Sequence, residues 1–597
     1  MWEANARRGT GGGGRGLLSL TALFWAATVT PLTSPDSDVA DAARMSDINE
    51  VRTLIERGAD VDAAQGDGMT ALHWAAKTGN VELARVLIEA GANLEVKTRI
   101  GEHRPLHVAS AEGRSSVVLA LLEAGCRANE TTTTGATALH FAAGSGSAET
   151  VAVLLQHGAE VNPKEPVWGQ TPLMFAAAAG RTDVVEVLLE HGADPAIAAK
   201  IVDVAARNKL DRAERRERNR RIEELRSTEK DVVGQPPPTG DQEQSQTIAE
   251  RQREREEAEK RGNEPEPLNY ADLVGMHGGL TPLLLAAREG HTDSALALVK
   301  GGADINQVSG ADATSPMLIA MINGHFDLAM KLFELGADPK LASEAGATPL
   351  YAALNMHWAP KARHPQPVAY LQQKLTYLEV METLLKAGVD PNVRLKKTLW
   401  YTTYNRDLLG VDRTGATPFW RAAYALDIVA MRLLLAYGAD PSLPTIKVPE
   451  RRDPELGEAD DVDRSGLPPV PMGGPAVYPI HAASGVGYGQ GFAGNSHRHV
   501  PDGWLPAVKF LVEELGADVN TRDHNGYTPL HHAAARGDNA LILYLVSKGA
   551  DATALARNGQ TTADMANGPV QRVQPFPETV ALLEKLGSKN NHKCVSC

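Results

Sequence analysis

Apolar positions along the chain recur with a helical period. In VVEVLLEHGAD, residues 184–194, Val185, Leu188 and Leu189 stand at i, i+3 and i+4 and draw a stripe along one side of a helix. DLAMKLFELGAD (327–338) and LILYLVSKGAD (541–551) repeat the pattern and its Gly-Ala-Asp ending. Gly192 suits the residue after a helix because it tolerates positive φ, and the polar residues from Asp194 onward predict a turn. A shorter apolar run precedes each stripe: MTALHWAAKTGN (69–80), ATALHFAAGSGS (136–147), QTPLMFAAAAGR (170–181), LTPLLLAAREGH (280–291), ATPLYAALNMHW (347–358), ATPFWRAAYALD (416–427) and YTPLHHAAARGD (527–538). Thr at its start can cap a helix. Pro at the next position loses no bond, since its missing N–H would have had no intrahelical partner there. Leu and the Ala pair make a thin apolar face that admits close neighbours.

The spacing is regular. Thr137 to Thr171 and Thr281 to Ser315 span 34 residues, and Ser315 to Thr348 and Thr528 to Thr561 span 33. Neither helix is long enough to be stable alone, so each unit must bury its faces on its neighbours. The unit resembles the ankyrin repeat, with its T-P-L-H-x-A signature on a period of 33, over most of residues 38–589. The resemblance implies an all-α ankyrin-repeat solenoid of about twelve helix-turn-helix units with hairpin-like fingers and several loop insertions. The ends depart from the pattern as caps should. The segment 40–64 lacks TPLH, and QTTADMANG (560–568) carries Thr562 and Asp564 at the Pro and His positions.

Five insertions break the period. The largest, residues 197–276, holds the charged stretches DRAERRERNRRIEELR (211–226) and IAERQREREEAEKRG (248–262) around a Pro-rich breaker, which predicts two solvated helices. It separates a first block of repeats, 38–196, from a second, 277–589. RLKKTLWYTTYNRDLLG (394–410) and the Pro- and acid-rich 443–474 fall on the finger side, the side the family commonly uses to bind. Trp400, Tyr401 and Tyr404 are candidate aromatic anchors for a partner there; the same residues would serve equally to pack the insertion on its own repeat. Two more insertions, near 358–377 and 485–505, lie between helix one and helix two. A rival reading places an enzymatic site in these two insertions; loops lying far apart without a shared polar pocket would count against it.

Composition narrows the function. Aromatics are 5%, so the core must be Ala, Leu and Val; a net charge of −14 argues against phosphate binding over the whole surface. Arg7, Arg8 and Arg15 precede the uncharged run LLSLTALFWAATV (17–29), too short to span a bilayer but suited to a secretory signal within residues 1–37. A periplasmic or secreted location is expected, of the kind found in exported bacterial ankyrin proteins, with a cytoplasmic one as the alternative. The tail, 590–597, ends HKCVSC. Cys594 and Cys597 form a possible redox pair, and the ending resembles a CxxCH haem-attachment motif cut one residue short. GQGFAG (489–494) matches GxGxxG but follows a helical segment instead of a strand, so a flexible loop explains it better. His497 and His499 lack an identifiable third metal ligand.

His73, His107, His140, His481 and His531 share one repeat position, which predicts hydrogen bonds to turns rather than chemistry. His532 alone departs from its position, held elsewhere by Trp74, Val108, Phe141 and Phe175, and is expected to tune an inter-repeat contact. These observations point to a monomeric, non-catalytic scaffold that binds a protein through the concave face and fingers, without cofactor, metal or nucleic acid. A redox or haem-linked protein, or an exported effector acting on a host protein, are the alternatives.

Overall fold

In the computed structural model the described residues are 37–233, 267–360, 368–402, 409–449, 463–489, 497–568 and 575–592. Among them, twelve helix pairs follow one another. The first five are Asp38–Arg44 with Ile48–Glu56, Ala71–Thr78 with Val81–Glu89, Pro105–Ala111 with Ser115–Glu123, Ala138–Ser145 with Ala148–Gln156, and Pro172–Ala178 with Thr182–Glu190. Repeats 6 to 9 are Pro282–Glu289 with Thr292–Lys300, Pro316–Ile322 with Phe326–Glu334, Pro349–His357 with Tyr377–Lys386, and Pro418–Tyr424 with Ile428–Ala436. Repeats 10 to 12 are Pro479–Ser484 with Trp504–Lys509, Pro529–Ala535 with Asn539–Ser547, and Thr562–Ala566 with Pro577–Lys585.

Each inner helix starts as its sequence dictates. The Thr171 hydroxyl accepts from Met174 N–H and the Thr281 hydroxyl from Leu284 N–H. Gly79 closes the inner helix of repeat 2 at φ 76°, where its carbonyl-bonded N–H ends the ladder on Ala75. The Ala pairs then work as expected. Ala75 and Ala76, Ala142 and Ala143, and Ala176 and Ala177 are fully buried, and inner helices pack on one another more closely than outer helices do. One apolar core runs unbroken from Val39 to Leu583.

A second set of inter-repeat bonds lies in the fingers. The Asn129 side chain accepts from Glu160 N–H at 2.8 Å and donates to the Gly158 carbonyl at 3.0 Å in the next repeat. Asn162, Asn392 and Asn520 make the same two bonds to repeats 5, 9 and 11. The repeat signature does not single these asparagines out. They tie successive fingers together.

The 197–276 insertion does not interrupt the stack. β1 (Ile201–Asp203) and β2 (Met276–Gly278) pair antiparallel, Asp203 opposite Met276, and close the insertion at its base. This small ribbon is an addition to the all-α expectation. Repeats 5 and 6 touch directly across it, through Thr182 Oγ1 to Ser294 Oγ at 2.9 Å and His291 Nε2 to the Ala178 carbonyl at 3.2 Å. A helix, Val204–Val233, leaves the ribbon as the charged stretch predicts; the second charged stretch lies outside the described residues. Since Asp203 and Met276 are direct partners, an Asn-Gly turn in place of residues 204–275 can close a two-residue hairpin. Such a variant is expected to melt within about 3 °C of the full chain in a circular-dichroism scan. Loss of a single cooperative transition would contradict the unbroken stack.

Candidate interaction surface

The shared histidines are built into the frame. His73 Nδ1 accepts from Thr70 N–H at 3.2 Å, and Nε2 donates to the His103 carbonyl of the next finger at 3.0 Å. His107, His140 and His481 do the same, reaching Glu130, Gln170 and Thr521. Both bonds require a neutral ring protonated on Nε2. In the last repeat Asp564 takes over the cap, accepting from Thr561 N–H at 2.9 Å. His532 Nε2 meets Asp523 Oδ2 at 3.2 Å with both groups buried, and its ring stands edge-on to His481 of the preceding repeat at 5.6 Å. The doubled histidine thus tunes a contact between repeats, as its position suggests.

The residue after the histidine position divides the array. Trp74, Val108, Phe141 and Phe175 of repeats 2 to 5 are half-exposed on the inner face. In repeats 6 and 7 Leu285 is buried and Ile319 half-exposed, and Ala352, Arg421, Ala482, His532 and Met565 of repeats 8 to 12 are buried. In repeat 10 Ala482 is covered by the chain itself, within an apolar cluster that also covers neighbouring side chains of repeats 8 and 9. Leu395, Leu399 and Leu409 from the 394–410 insertion form a second apolar cluster with Tyr351, Trp420 and Tyr424 from the inner helices. Trp420 donates to the Val477 carbonyl at 2.9 Å. The second finger insertion also returns to the array: Arg557, between repeats 11 and 12, pairs with Asp463 and donates to the Pro468 carbonyl at 2.7 Å.

Of the sequence candidates, Trp400 and Tyr401 sit in a short 3₁₀ turn, Trp400–Thr402, with their rings edge-on at 5.7 Å. Tyr401 packs against the second cluster with its hydroxyl buried, and burial raises its pKa. Tyr404, Cys594, Cys597 and most of GQGFAG lie outside the described residues.

The two helix-turn insertions meet, a juxtaposition that no spacing rule reveals. Arg498 donates to the Tyr370 hydroxyl at 2.7 Å. Beneath them Asp427, 2% exposed, accepts from Trp358 Nε1 at 2.9 Å, from the Tyr377 hydroxyl at 2.6 Å and from Ala430 N–H at 3.0 Å. Buried Arg421 donates to Asn355 Oδ1 at 2.8 Å and to the Trp358 carbonyl at 2.6 Å. His357 stacks on Tyr377 at 3.9 Å, and the Arg536 guanidinium lies 3.4 Å over the Trp504 ring. Burial, then the Arg498 charge, holds His357 down to about 4, and burial followed by Asp427 raises the Tyr377 hydroxyl. A neutral histidine and a protonated tyrosine suit a cross-brace over repeats 8 to 11. His497 stacks on Tyr424 at 4.3 Å and His499 touches Trp504 at 4.7 Å, so both pack within this brace. Among the described residues no group of three or more His, Cys, Asp or Glu is placed to hold a metal.

Comparison with known proteins agrees with this geometry. Ankyrin-repeat family models match residues 40–132 and 106–199 (ankyrin repeats, three copies), 496–546 (ankyrin repeats, many copies) and 278–310 (ankyrin repeat). The described residues have the ankyrin-repeat solenoid fold, and the segments 40–199, 278–310 and 496–546 match the ankyrin-repeat family. Its similar relatives include mouse protein phosphatase 1 regulatory subunit 27, 42% identical over 69 residues, covering 12% of this chain and 44% of that one. Human ankyrin repeat domain-containing protein 40 is 40% identical over 63 residues, covering 10% and 17%. Alpha-latrocrustotoxin-Lt1a of Latrodectus tredecimguttatus is 41% identical over 64 residues, covering 11% and 4%. The chain thus spans less than half the length of these relatives.

Two expectations follow for stability. Asp427→Ala removes a helix cap and strands two half-buried donors, so it should cost about 2 kcal/mol in urea unfolding, while Tyr377→Phe should cost about 1 kcal/mol. Equal, negligible costs would remove the brace. The second expectation concerns acid. Burial lowers His107 and His481 from 6.5 to about 4 and His531 to about 3. Between those values the unfolded chain binds more protons than the folded one, so this stability is complete above pH 6.5 and is lost as pH falls toward 4. The melting temperature should therefore drop by several degrees from pH 7 to pH 5; a flat profile would show that the rings are not held neutral.

Proposed function

We propose that this protein is a non-catalytic scaffold that binds a protein partner on the open inner face of repeats 2 to 5 and the fingers beside it. The observation that carries the reading is the division of the array. Trp74, Val108, Phe141 and Phe175 stay half-exposed, while the corresponding positions of repeats 8 to 12 are buried. The neighbouring finger presents Ile100 with 83% of its surface free. Lys77 and Arg44 lie over the Trp74 ring at 5.2 and 5.7 Å, leaving a mixed apolar and charged surface suited to a protein. A stiff array loses little entropy on binding, which favours specific association. The likeness to a phosphatase regulatory subunit supports a binding role, though not that partner. The proposal includes export directed by residues 1–37, carried by the arginines and apolar run alone; mass spectrometry of the native N-terminus tests it.

The test of the binding reading is affinity capture from the native organism with the full chain and a Lys77→Glu, Ile100→Ser, Glu112→Lys variant. All three side chains are exposed. Partner recovery should fall about tenfold, with the melting temperature unchanged. Equal recovery, together with loss of the partner on removing residues 443–474, would place the surface on the second block.

A further inference from the structure

The base of the large insertion carries a groove of about 550 Å³ unrelated to the repeat pattern. Its lining includes Trp168 from the finger between repeats 4 and 5, Val202 and His277 from the paired strands, and Arg207, Arg212 and Arg215 from the helix Val204–Val233. Three elements remote in sequence thus converge. Each is firmly held. The Glu165 carboxylate accepts from the N–H groups of Val167, Trp168 and Gln170 at 2.7, 2.8 and 2.9 Å, fixing the finger tip. Lys200 N–H donates to the Trp168 carbonyl at 2.7 Å, and Val204 N–H to the Gly275 carbonyl at 2.9 Å. The groove is therefore pre-formed, which lowers the ordering cost of filling it.

Its chemistry is uneven. Trp168 is 51% exposed and Val167 beside it 52%. Among the described residues Arg207, Arg212 and Arg215 are in no ion pair, although other arginines of the same helix, Arg220 and Arg221, are paired to Glu217. Asp211 is the one acid in the lining, leaving a surplus of positive charge. On a chain of net charge −14, three guanidinium groups that have no ion pair among the described residues surround a half-exposed indole and present a local cationic site. Guanidinium groups bind carboxylates bidentately, and the indole offers an apolar face. The volume falls within the range of small-ligand sites, roughly 300–1,000 Å³, enough for a few side chains. The acidic body repels a long polyanion far more than a short one.

We propose that this groove binds a short acidic peptide segment in which an apolar side chain stands among carboxylates: the apolar group on Trp168, the carboxylates on Arg207, Arg212 and Arg215. The inference rests on the protein-binding reading but uses different residues, so the two can fail separately. The probe is a fluorescein-labelled decapeptide with glutamates flanking a Leu-Phe pair, measured by anisotropy against the full chain. Arg207→Gln, Arg212→Gln, Arg215→Gln in combination should weaken binding at least about tenfold and Trp168→Ala about fivefold. All four positions are solvent-facing. The same peptide with lysines for glutamates should not bind, and one with Gly-Ser for Leu-Phe should bind as weakly as Trp168→Ala does. Absence of peptide binding, or binding unaffected by either variant, overturns the proposal. Oligothymidylate binding more tightly than the peptide and lost in the arginine variant also overturns it, making the groove a nucleic-acid surface. The Lys77→Glu, Ile100→Ser, Glu112→Lys variant should keep the peptide. If it loses the captured partner, the two surfaces are distinct; if the peptide fails while that partner is still captured, only the groove is refuted.

Discussion

Everything in this molecule depends on the fact that no helix pair can bury its own apolar face. Helices of five to ten residues are unstable alone in water, and only stacking removes their Leu, Val and Ala side chains from it. The constraint is one-dimensional. Each repeat must match its two neighbours, while its finger and its inter-helix turn are free at the edges. The buried histidines and the finger asparagines act along the same axis, each bonding one repeat to the next. They set the spacing that apolar stacking alone would leave loose.

This arrangement explains where the chain can afford insertions. An insertion within a helix would break two interfaces, whereas one at a finger or a turn breaks none if its ends lie close together. β1 and β2 meet that condition by direct pairing. The insertions then differ in what they do. The finger insertion beginning at Arg394 folds back and fills the inner face of repeats 8 to 10, and the two turn insertions brace repeats 8 to 11 from the opposite edge. The second block is stiffened by its own additions, and the first block keeps its inner face open.

Most of the fold is legible in the sequence, because the period, the Thr caps and the Gly closures each specify a local conformation. The role of the shared histidines is legible too, as the same residue at the same place in five repeats must answer a structural need. What the sequence hides is any contact between segments far apart in the chain. Nothing in the spacing says that Arg498 reaches Tyr370, that Asp427 collects the Trp358 and Tyr377 donors, or that Trp168 faces the arginines of the long helix. The candidate site was legible only in outline. The aromatic residues Trp400 and Tyr401 stand out by composition, yet the open surface is defined by ordinary repeat positions, visible only once the filled half of the array is known.

The central claim is that the partner lies on the open inner face of the first block. Hydrogen-exchange mass spectrometry of the full chain, alone and with its captured partner, tests this most directly. The account predicts added protection in the inner helices and fingers between about residues 66 and 180, with the segments 345–357 and 418–424 unchanged. Protection confined to the second block, with repeats 2 to 5 exchanging as in the free chain, would contradict it.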